Sequence, residues 1–183
     1  MDAMRHTERA TGATRGVSLV EAMVTLAVLA IVATIAVPSL ARLLDTRRLN
    51  AAAHALATDL QLARTDAVAR NRVLRLGLQA GGGASCWVLH TGPANACTCT
   101  AAATVCAAGE SEIRSVRFDA ADRVRVEGNV GSIAFDPLHG TSTPAGTLRV
   151  VGTDRRAVQH VVNAMGRART CSPGGLVPGH RAC

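Results

Sequence analysis

The sequence predicts an α+β fold in which one long N-terminal helix packs on an antiparallel β-rich head. Residues 17–37 form an apolar run with few polar interruptions. After Pro38, apolar residues recur every three or four positions, which is typical of a helix with one buried face. From residue 72 onwards, short β-type runs alternate with glycine, proline, asparagine and aspartate, which is typical of strands and turns.

The apolar run is long enough to cross a membrane, because about 20 helical residues span a hydrocarbon core of roughly 30 Å. Arg5, Arg9 and Arg15 precede it, and no comparable cluster follows at once. The positive-inside tendency therefore leaves the preceding residues in the cytoplasm and sends the rest outward. The alternative is a secretory signal peptide cut near residues 34–36, which would need an unusually long leader and apolar region.

Glu21 favours a membrane segment that has a partner for its carboxylate. An acid inside an apolar span costs up to about 3 kcal/mol at membrane depth, so a plain anchor would not keep it. The string from Gly16 to Glu21 (GVSLVE) resembles the processing site of type IV prepilins, although that family usually has Phe where this chain has Val17. Pro38 also matches the family, in which a proline at this place bends or locally melts the helix.

The prepilin resemblance implies how the N-terminal region is processed and used. Residues 1–16 would be the leader, which the prepilin peptidase removes by cleavage between Gly16 and Val17. The same enzyme would methylate the new amine of Val17. Glu21 would then pair with the N-terminal amine of a neighbouring subunit during filament assembly, and Pro38 would serve the same assembly.

The expected helix spans residues 17–71, of which residues 17–37 would be transmembrane, and the head spans residues 72–183. The predicted buried face of the helix holds Leu49, Ala52, Leu56, Leu60, Ala63 and Ala67. Four charged residues are expected to lie off that face: Arg48, Asp59, Asp66 and Arg70. The second half of the helix is therefore expected to pack on the head.

The head is expected to consist of short strands joined by turns. The predicted strands are residues 72–79, 85–90, 113–118, 123–127, 132–136, 147–152 and 157–164. Gly81, Gly82 and Gly83 lack the Lys-Ser/Thr pair and following helix of a phosphate-binding loop, so they predict a flexible hairpin turn. Residues 91–110 are rich in Ala, Thr and Cys and predict a long surface loop held by cysteines.

The cysteines predict disulfides in an oxidising compartment. They are Cys86, Cys97, Cys99, Cys106, Cys171 and Cys183. An even number in the part expected outside the cytoplasm favours disulfides, while the spacing around residues 97–106 lacks the paired pattern of a metal site. The sequence leaves the connectivity open and favours only the Cys171–Cys183 pair, which would close a Pro/Gly-rich tail.

Charge is concentrated towards the C-terminal quarter. The formal net charge is +7, and all 20 basic residues are arginine, which suits forked contacts with phosphate or carboxylate. Residues 137–183 hold six arginines and one acid, Asp154. No catalytic constellation, cofactor motif or metal-binding spacing emerges, so the sequence predicts neither an enzyme nor a resident cofactor or metal.

Three segments resemble the GspH/FimT family of minor pilins and pseudopilins. They are residues 59–68 (DLQLARTDAV), residues 135–140 (FDPLHG) and residues 166–169 (GRAR). The resemblance covers nearly the whole chain after the leader. It implies the type IV pilin-like fold, with a long N-terminal transmembrane and spine helix on an antiparallel β-sheet head.

Arg167 and Arg169 are the predicted binding residues. In an extended segment they would point to the same side about 7 Å apart, where two guanidinium groups could contact neighbouring phosphates. Gly166 would let the backbone approach closely. The alternative is a solvated strand end, which charge alone favours. The family resemblance implies that this Gly-Arg-x-Arg element binds DNA. Support is expected from three further arginines of the basic quarter, Arg155, Arg156 and Arg181.

The sequence therefore predicts a minor type IV pilin that binds extracellular double-stranded DNA for uptake in natural transformation. The expected partners are other major and minor pilins or pseudopilins, the prepilin peptidase, the inner membrane and the phosphate backbone of double-stranded DNA. The expected location is the bacterial inner membrane, single-pass with the C-terminal head in the periplasm, and then a pilus or pseudopilus. The alternative is a structural GspH-type minor pseudopilin of a type II secretion system. An enzyme on a membrane anchor would need a convergent polar site that the sequence lacks.

Overall fold

The computed structural model describes residue 16 and residues 18–81, 83–100 and 102–183. The chain forms two compact units that divide between Ala41 and Arg42. Helix α1 spans Leu19–Ala69. Its N-terminal part is apolar and exposed, and an 18-residue window has a mean hydropathy of 2.4, so α1 is long and apolar enough to cross a membrane.

The second unit contains the part of α1 that packs on the head. All six residues of the predicted apolar face are buried there. The buried residues of α1 are Asp45, Leu49, Ala52, Ala53, Leu56, Asp59, Leu60, Ala63 and Ala67. The expectation that Asp59 lies off the buried face is wrong, because its side chain is fully buried. It lies three residues after Leu56 and four before Ala63, within the same helical stripe.

The described residues form eleven strands. Their bounds are β1 Leu74–Gly81, β2 Ala84–Thr91, β3 Cys97–Cys99, β4 Thr104–Cys106, β5 Glu112–Phe118, β6 Arg125–Gly128, β7 Ser132–Phe135, β8 Ser142–Thr143, β9 Gly146–Val151, β10 Ala157–Val162 and β11 Ala168–Cys171. Each of the seven predicted strands overlaps one of these. In the β1–β2 hairpin Gly81 lies opposite Ala84, as the predicted turn requires.

The strands form three antiparallel sheets. A five-stranded sheet has the order β5-β2-β1-β7-β8, a four-stranded sheet has the order β11-β10-β9-β6, and β3 pairs with β4. The β3–β4 pair lies inside the segment expected to be an irregular loop, and β8 and β11 lie outside the predicted strands. These four strands are two to four residues long, too short for an alternating pattern to show in the sequence.

One core joins α1 to both large sheets. Leu56 and Leu60 of α1 belong to the same buried cluster as Trp87 of the five-stranded sheet and Leu148 and Val158 of the four-stranded sheet. Long aliphatic side chains and one tryptophan therefore fix the face that α1 presents to the head. Burial of a leucine-sized side chain contributes about 1.5–3 kcal/mol, so this shared core is the main force that holds the unit together.

Three disulfides tie the head outside this core. Cys86 pairs with Cys99, and Cys97 with Cys106, so the two bridges lie together at the β3–β4 pair. The Gln79 side chain accepts a hydrogen bond from the Cys99 N–H at 2.7 Å. The third bridge joins Cys171 to Cys183, the pair that the sequence favoured. The segment expected to depend on cysteines is thus fastened to β1 and β2.

Candidate functional site

The hairpin that joins β10 to β11 turns at residues 163–166. The Gly166 N–H donates to the Asn163 carbonyl at 2.9 Å, and the Arg167 N–H donates to the Asn163 side-chain oxygen at 2.9 Å. Gly166 has φ +72°, in the left-handed region that favours glycine. Such a turn with a following glycine is common in short hairpins. Arg167 therefore leaves a turn whose backbone is held on both sides.

Gly166 is buried against a second loop rather than open to solvent. A Cβ at this position would lie 2.1 Å from the Gly140 carbonyl oxygen and 3.2 Å from Arg64 Nε. Glycine at this position therefore has an internal reason, while the close approach of a phosphate remains a prediction. The absence of a side chain lets the hairpin rest on Gly140 and Arg64.

Arg64 of α1 fastens the loop that Gly166 contacts. Its Nε donates to the Gly140 carbonyl at 3.0 Å. In the same loop the Asp136 carboxylate accepts hydrogen bonds from the backbone of Leu138 and His139. The His139 N–H, with help from Leu138, lowers the pKa of Asp136. The three segments that carry the family resemblance thus meet at one junction.

The two loops of this junction are also bonded to each other. The Ser142 N–H donates to the Ala164 carbonyl at 2.9 Å, and the Ser142 hydroxyl donates to the Asn163 carbonyl at 2.6 Å. We refer to Arg64, Gly140 and Gly166 as the Arg64 junction. It fixes the hairpin to the helix and to the five-stranded sheet.

Arg167 and Arg169 are exposed, as predicted. Neither takes part in an ion pair among the described residues. Arg169 lies opposite Val161, and the Arg167 carbonyl accepts from the Asn163 N–H, so the two arginines keep an extended spacing of about 7 Å. Their guanidinium groups are available to an external anion.

The other predicted basic residues lie at the opposite end of β10. Arg155 and Arg156 precede Ala157, the first residue of that strand, about 20 Å from its last residue. The Arg181 carbonyl accepts from the Ser172 N–H, which places Arg181 beyond the far end of β11. The structure therefore brings Arg167 and Arg169 together and separates them from these three residues.

The side chain of Arg156 is occupied by contacts within the protein. Its side chain donates to the Thr46 hydroxyl of α1 and, at 3.0 Å, to the Thr153 hydroxyl. It also lies 3.7 Å from the Asp154 carboxylate, and only 15% of its side chain is exposed. Its predicted role as a supporting phosphate contact does not fit these interactions. Arg155 and Arg181 are exposed and take part in no ion pair among the described residues.

Farther across the four-stranded sheet, arginine charges are offset by an acid. Arg149 of β9 lies 3.8 Å from the Glu127 carboxylate, and Arg125 lies 3.7 Å from it. The pairing register places Arg149 and Glu127 on the same outer face as Arg169. The uncompensated positive charge of this face is therefore concentrated at the β10–β11 hairpin.

A buried carboxylate lies between α1 and the five-stranded sheet. Asp59 Oδ2 accepts from the Trp87 indole N–H at 2.7 Å, and Asp59 Oδ1 lies 3.0 Å from Arg114 Nε. Burial raises the pKa of Asp59, while the Trp87 hydrogen bond and the Arg114 charge oppose that rise. The sequence analysis missed this group. The helical spacing of Asp59 with Leu56 and Ala63 was the available signal.

Three histidines lie near one another between α1, β10 and the C-terminal segment. The rings of His54 and His180 are 6.1 Å apart, and His180 Nε2 lies 3.1 Å from the Asn50 side-chain oxygen. Burial lowers the pKa of His160 to about 4, with smaller contributions from His180 and His54 in the same direction. Within the part of the chain that the structure describes, no group of three or more His, Cys, Asp or Glu side chains is arranged to hold a metal ion.

The N-terminal site residues are only partly described. Gly16 is exposed, while Val17 lies outside the described residues, so the cleavage and methylation site remains a prediction. Glu21 is exposed in the first turn of α1. Helix α1 continues through Pro38 without a break in secondary structure, and no local melting is seen there.

Two family models match the sequence. Residues 52–166 match the family described as type II transport protein GspH, which covers more than half of the chain. Residues 12–37 match the prokaryotic N-terminal methylation motif. No curated protein sequence matches the chain.

A solved structure confirms the predicted fold. The type IV minor pilin FimU of Pseudomonas aeruginosa (strain PAO1) is similar, with a TM-score of 0.50 and 19% sequence identity. The match covers 73% of this chain and 95% of that chain. A second crystal form of FimU gives a TM-score of 0.46 at 19% identity, covering 72% of this chain and 98% of that chain.

Proposed function

The chain belongs to the GspH family, and we propose that it acts as a minor type IV pilin that binds extracellular double-stranded DNA for uptake in natural transformation. Family and fold are those of pilin-like structural subunits, and the apolar N-terminal helix with its methylation motif fits a membrane-anchored pilus subunit. The DNA contact would be made by the β10–β11 hairpin. Filament retraction by other proteins would then draw the bound DNA towards the periplasm.

The observation that carries this proposal is the pair of uncommitted arginines on a rigid hairpin. Arg167 and Arg169 are exposed, unpaired among the described residues, and spaced about 7 Å apart, close to the separation of successive phosphates along a strand. Each guanidinium that neutralises a phosphate releases bound counterions. Binding would therefore depend strongly on salt and weakly on DNA sequence.

Double-stranded DNA suits the chemistry of this surface better than unpaired bases. The chain contains one Trp, two Phe and no Tyr. Trp87 and Phe135 are buried, and Phe118 packs against Trp87 at a ring distance of 5.4 Å. Stacking platforms for single strands are built from exposed aromatic rings. Recognition of the phosphate backbone is the mode that remains.

The test is the salt dependence of DNA binding by a purified soluble fragment, residues 45–183, which contains the head and the part of α1 packed on it. Replacing Arg167 and Arg169 together by Gln should weaken binding to unrelated sequences and lower the log–log salt slope by about two. The matched control replaces Arg47 and Arg48 by Gln, because both are exposed on α1 about 25 Å from Arg64. Equal losses in the two double variants would indicate diffuse attraction, and no salt-sensitive binding by the wild type would refute the proposal.

The second candidate is a structural minor pseudopilin of a type II secretion system, where the head would contact other subunits or secreted proteins. The match to the family described as type II transport protein GspH favours it. In that role, Arg167 and Arg169 would be solvated surface residues. A wild-type head that does not bind DNA, but is required for secretion in its host, would select this candidate.

The same proposal includes processing and assembly at the N-terminus. Residues 1–16 would be removed after Gly16, Val17 would be methylated, and Glu21 would pair with a neighbouring subunit's amine. The head, residues 72–183, would lie in the periplasm before assembly. Mass spectrometry of the N-terminal peptide from filaments tests the cleavage, since an N-terminus near residue 37 would indicate an ordinary signal peptide instead.

A further inference from the structure

A groove runs between α1 and the β10–β11 hairpin beside the two exposed arginines. Its volume is about 370 Å³. Residues 60, 61, 64 and 65 of α1 form one wall, and residues 166–168 form the other. Among the described residues none that lines it is acidic, and each wall contributes one arginine, Arg64 from α1 and Arg167 from the hairpin. An anion in this groove would meet two positive charges carried by different elements.

Arg64 is held in a way that leaves its binding atoms free. Its Nε donates to the Gly140 carbonyl, and neither of its two terminal nitrogens has an ion-pair or hydrogen-bond partner among the described residues. Because the guanidinium is planar, a fixed Nε also restricts where the terminal nitrogens can point. Arg64 is half-buried, so an anion that reached it would be partly desolvated and its attraction less screened than at an exposed arginine.

The donors of this groove suit phosphate oxygens. The Thr65 hydroxyl already donates to the Gln61 and Leu62 carbonyls, so the charged donors are the two guanidinium groups. A side chain at Gly166 would collide with the Gly140 carbonyl oxygen and crowd Arg64. Glycine at this position thus leaves Arg64 uncrowded at the edge of the groove, and arginine forms forked contacts with phosphate.

We infer that Arg64 and Arg167 together seat one phosphate group in this groove, so that Arg64 is a third phosphate contact beside Arg167 and Arg169. This inference rests on the proposed DNA-binding function for the identity of the natural ligand. If the chain does not bind DNA, the ligand would be inorganic phosphate from solution. The two measurements below distinguish a DNA phosphate from inorganic phosphate. The bound DNA backbone would pass from the outer face of β11, at Arg169, to the side of α1.

The first measurement is the salt slope of DNA binding by the full chain in a non-ionic detergent, with Arg64→Gln and Arg64→Lys compared. If Arg64 contacts the phosphate that Arg167 also contacts, Arg64→Gln weakens binding and lowers the slope by a fraction of the roughly 0.9 that one lost phosphate gives, whereas Arg64→Lys keeps the charge, the affinity and the slope. If Arg64 only positions the hairpin, both variants disturb the Gly140 contact and change binding to the same extent. The matched control is Arg70→Gln, because Arg70 directly follows the last residue of α1 and is paired to Asp66 at 2.9 Å.

The second measurement follows the Arg side-chain Nε–H signals of the wild-type chain by NMR during titration with inorganic phosphate. Selective shifts of the Arg64 and Arg167 signals, with none at Arg70, are expected, and this result would stand even if DNA did not bind. Unchanged Arg64 signals, together with an unaltered DNA slope in Arg64→Gln, would overturn the inference while leaving the contacts of Arg167 and Arg169 in place. If the wild-type chain binds inorganic phosphate at Arg64 and Arg167 but does not bind DNA, the proposed DNA-binding function is refuted and the phosphate-binding groove is not.

Discussion

Near each end of β10 an arginine joins the sheet region to α1. At one end the arginine belongs to the sheet region, and at the other it belongs to the helix. At the start of β10 the sheet supplies it, because Arg156 reaches across to Thr46 of the helix. Beyond the other end the helix supplies it, because Arg64 reaches across to Gly140 beside Gly166. At the start of β10, the guanidinium of Arg156 is occupied by contacts within the protein. Where the helix supplies the arginine, the arginines of the hairpin remain available to a ligand.

This difference shows that arginine content alone does not locate a binding surface. Arg156 and Arg167 lie in the same basic quarter of the sequence. One is 85% covered and bonded to two threonines, and the other is exposed without an ion-pair partner among the described residues. The following predictions test how far the two ends differ, from the largest expected effect to the smallest.

Removing the fit at the Arg64 junction should have the largest effect. Gly166→Ala combines a left-handed backbone with a Cβ placed 2.1 Å from the Gly140 carbonyl oxygen, so we expect a loss of about 3–4 kcal/mol in the free energy of unfolding. The matched control is Gly174→Ala, which has a similar φ of +67° but no atom closer than 3.8 Å. Chemical denaturation of both variants measures the difference. Equal losses would show that the contact with Gly140 contributes nothing.

Acid should weaken the middle of the β10 contact with α1. The folded-state pKa of His160 is about 4, below its ordinary value of 6.5, so the unfolded chain binds more protons between these values. Stability from this residue should therefore fall by about 3 kcal/mol as the pH drops from 7.5 to 4.

The measurement is the free energy of unfolding against pH for the wild type and for His160→Gln. The variant should show a shallower decline over this window, because the carboxylates common to both proteins cancel in the comparison. Identical pH profiles would mean that His160 is protonated without cost in the folded protein.

Neutralising Arg156, which makes contacts within the protein, should lower the free energy of unfolding more than neutralising the exposed Arg167. Arg156→Gln loses charged hydrogen bonds to Thr46 and Thr153, with an expected cost of about 2 kcal/mol. Arg167→Gln removes an exposed charge and should stay within about 0.5 kcal/mol of the wild type. Urea denaturation of the two variants decides the matter. A larger loss of stability in Arg167→Gln than in Arg156→Gln would contradict the view that Arg156 supports the fold and Arg167 is free for a ligand.

The smallest expected effect concerns Arg155, which is exposed but lies at the far end of β10. Arg155→Gln should leave the salt slope of DNA binding unchanged, while Arg169→Gln should lower it by about one unit. Both variants should fold normally, since neither side chain takes part in an ion pair among the described residues. A lower slope in Arg155→Gln would extend the binding surface along the whole strand.

The predictable parts of the fold rest on local patterns. The three-and-four spacing from Leu49 to Ala67 predicted the buried face of α1, and alternation predicted strands such as β9, whose residues Leu148 and Val150 are buried. β11 was missed because its four residues show no apolar alternation. Asp59 was misplaced because an acid was assumed to face solvent, although its spacing put it in the buried stripe.

The site was predictable only as far as its own segment. Arg167 and Arg169 follow from a short motif and the charge around it. The commitment of Arg156 depends on Thr46, which lies 110 positions away in the sequence. The contact of Arg64 with Gly140 spans 76 positions. Neither pairing leaves a mark in the local pattern, so only the folded chain could show which arginines are free.

The Arg64 junction also determines how the head would carry a mechanical load. A pull on a ligand held at Arg167 would enter the hairpin beside Gly166 and pass to α1 through the Gly140 and Arg64 contact. The load would thus bypass the interstrand bonds of β10 and β11, which would otherwise open one after another from the hairpin tip. At the far end of β11 the bridge between Cys171 and Cys183 would stop further peeling. The head would therefore resist a pull applied to a ligand at the hairpin.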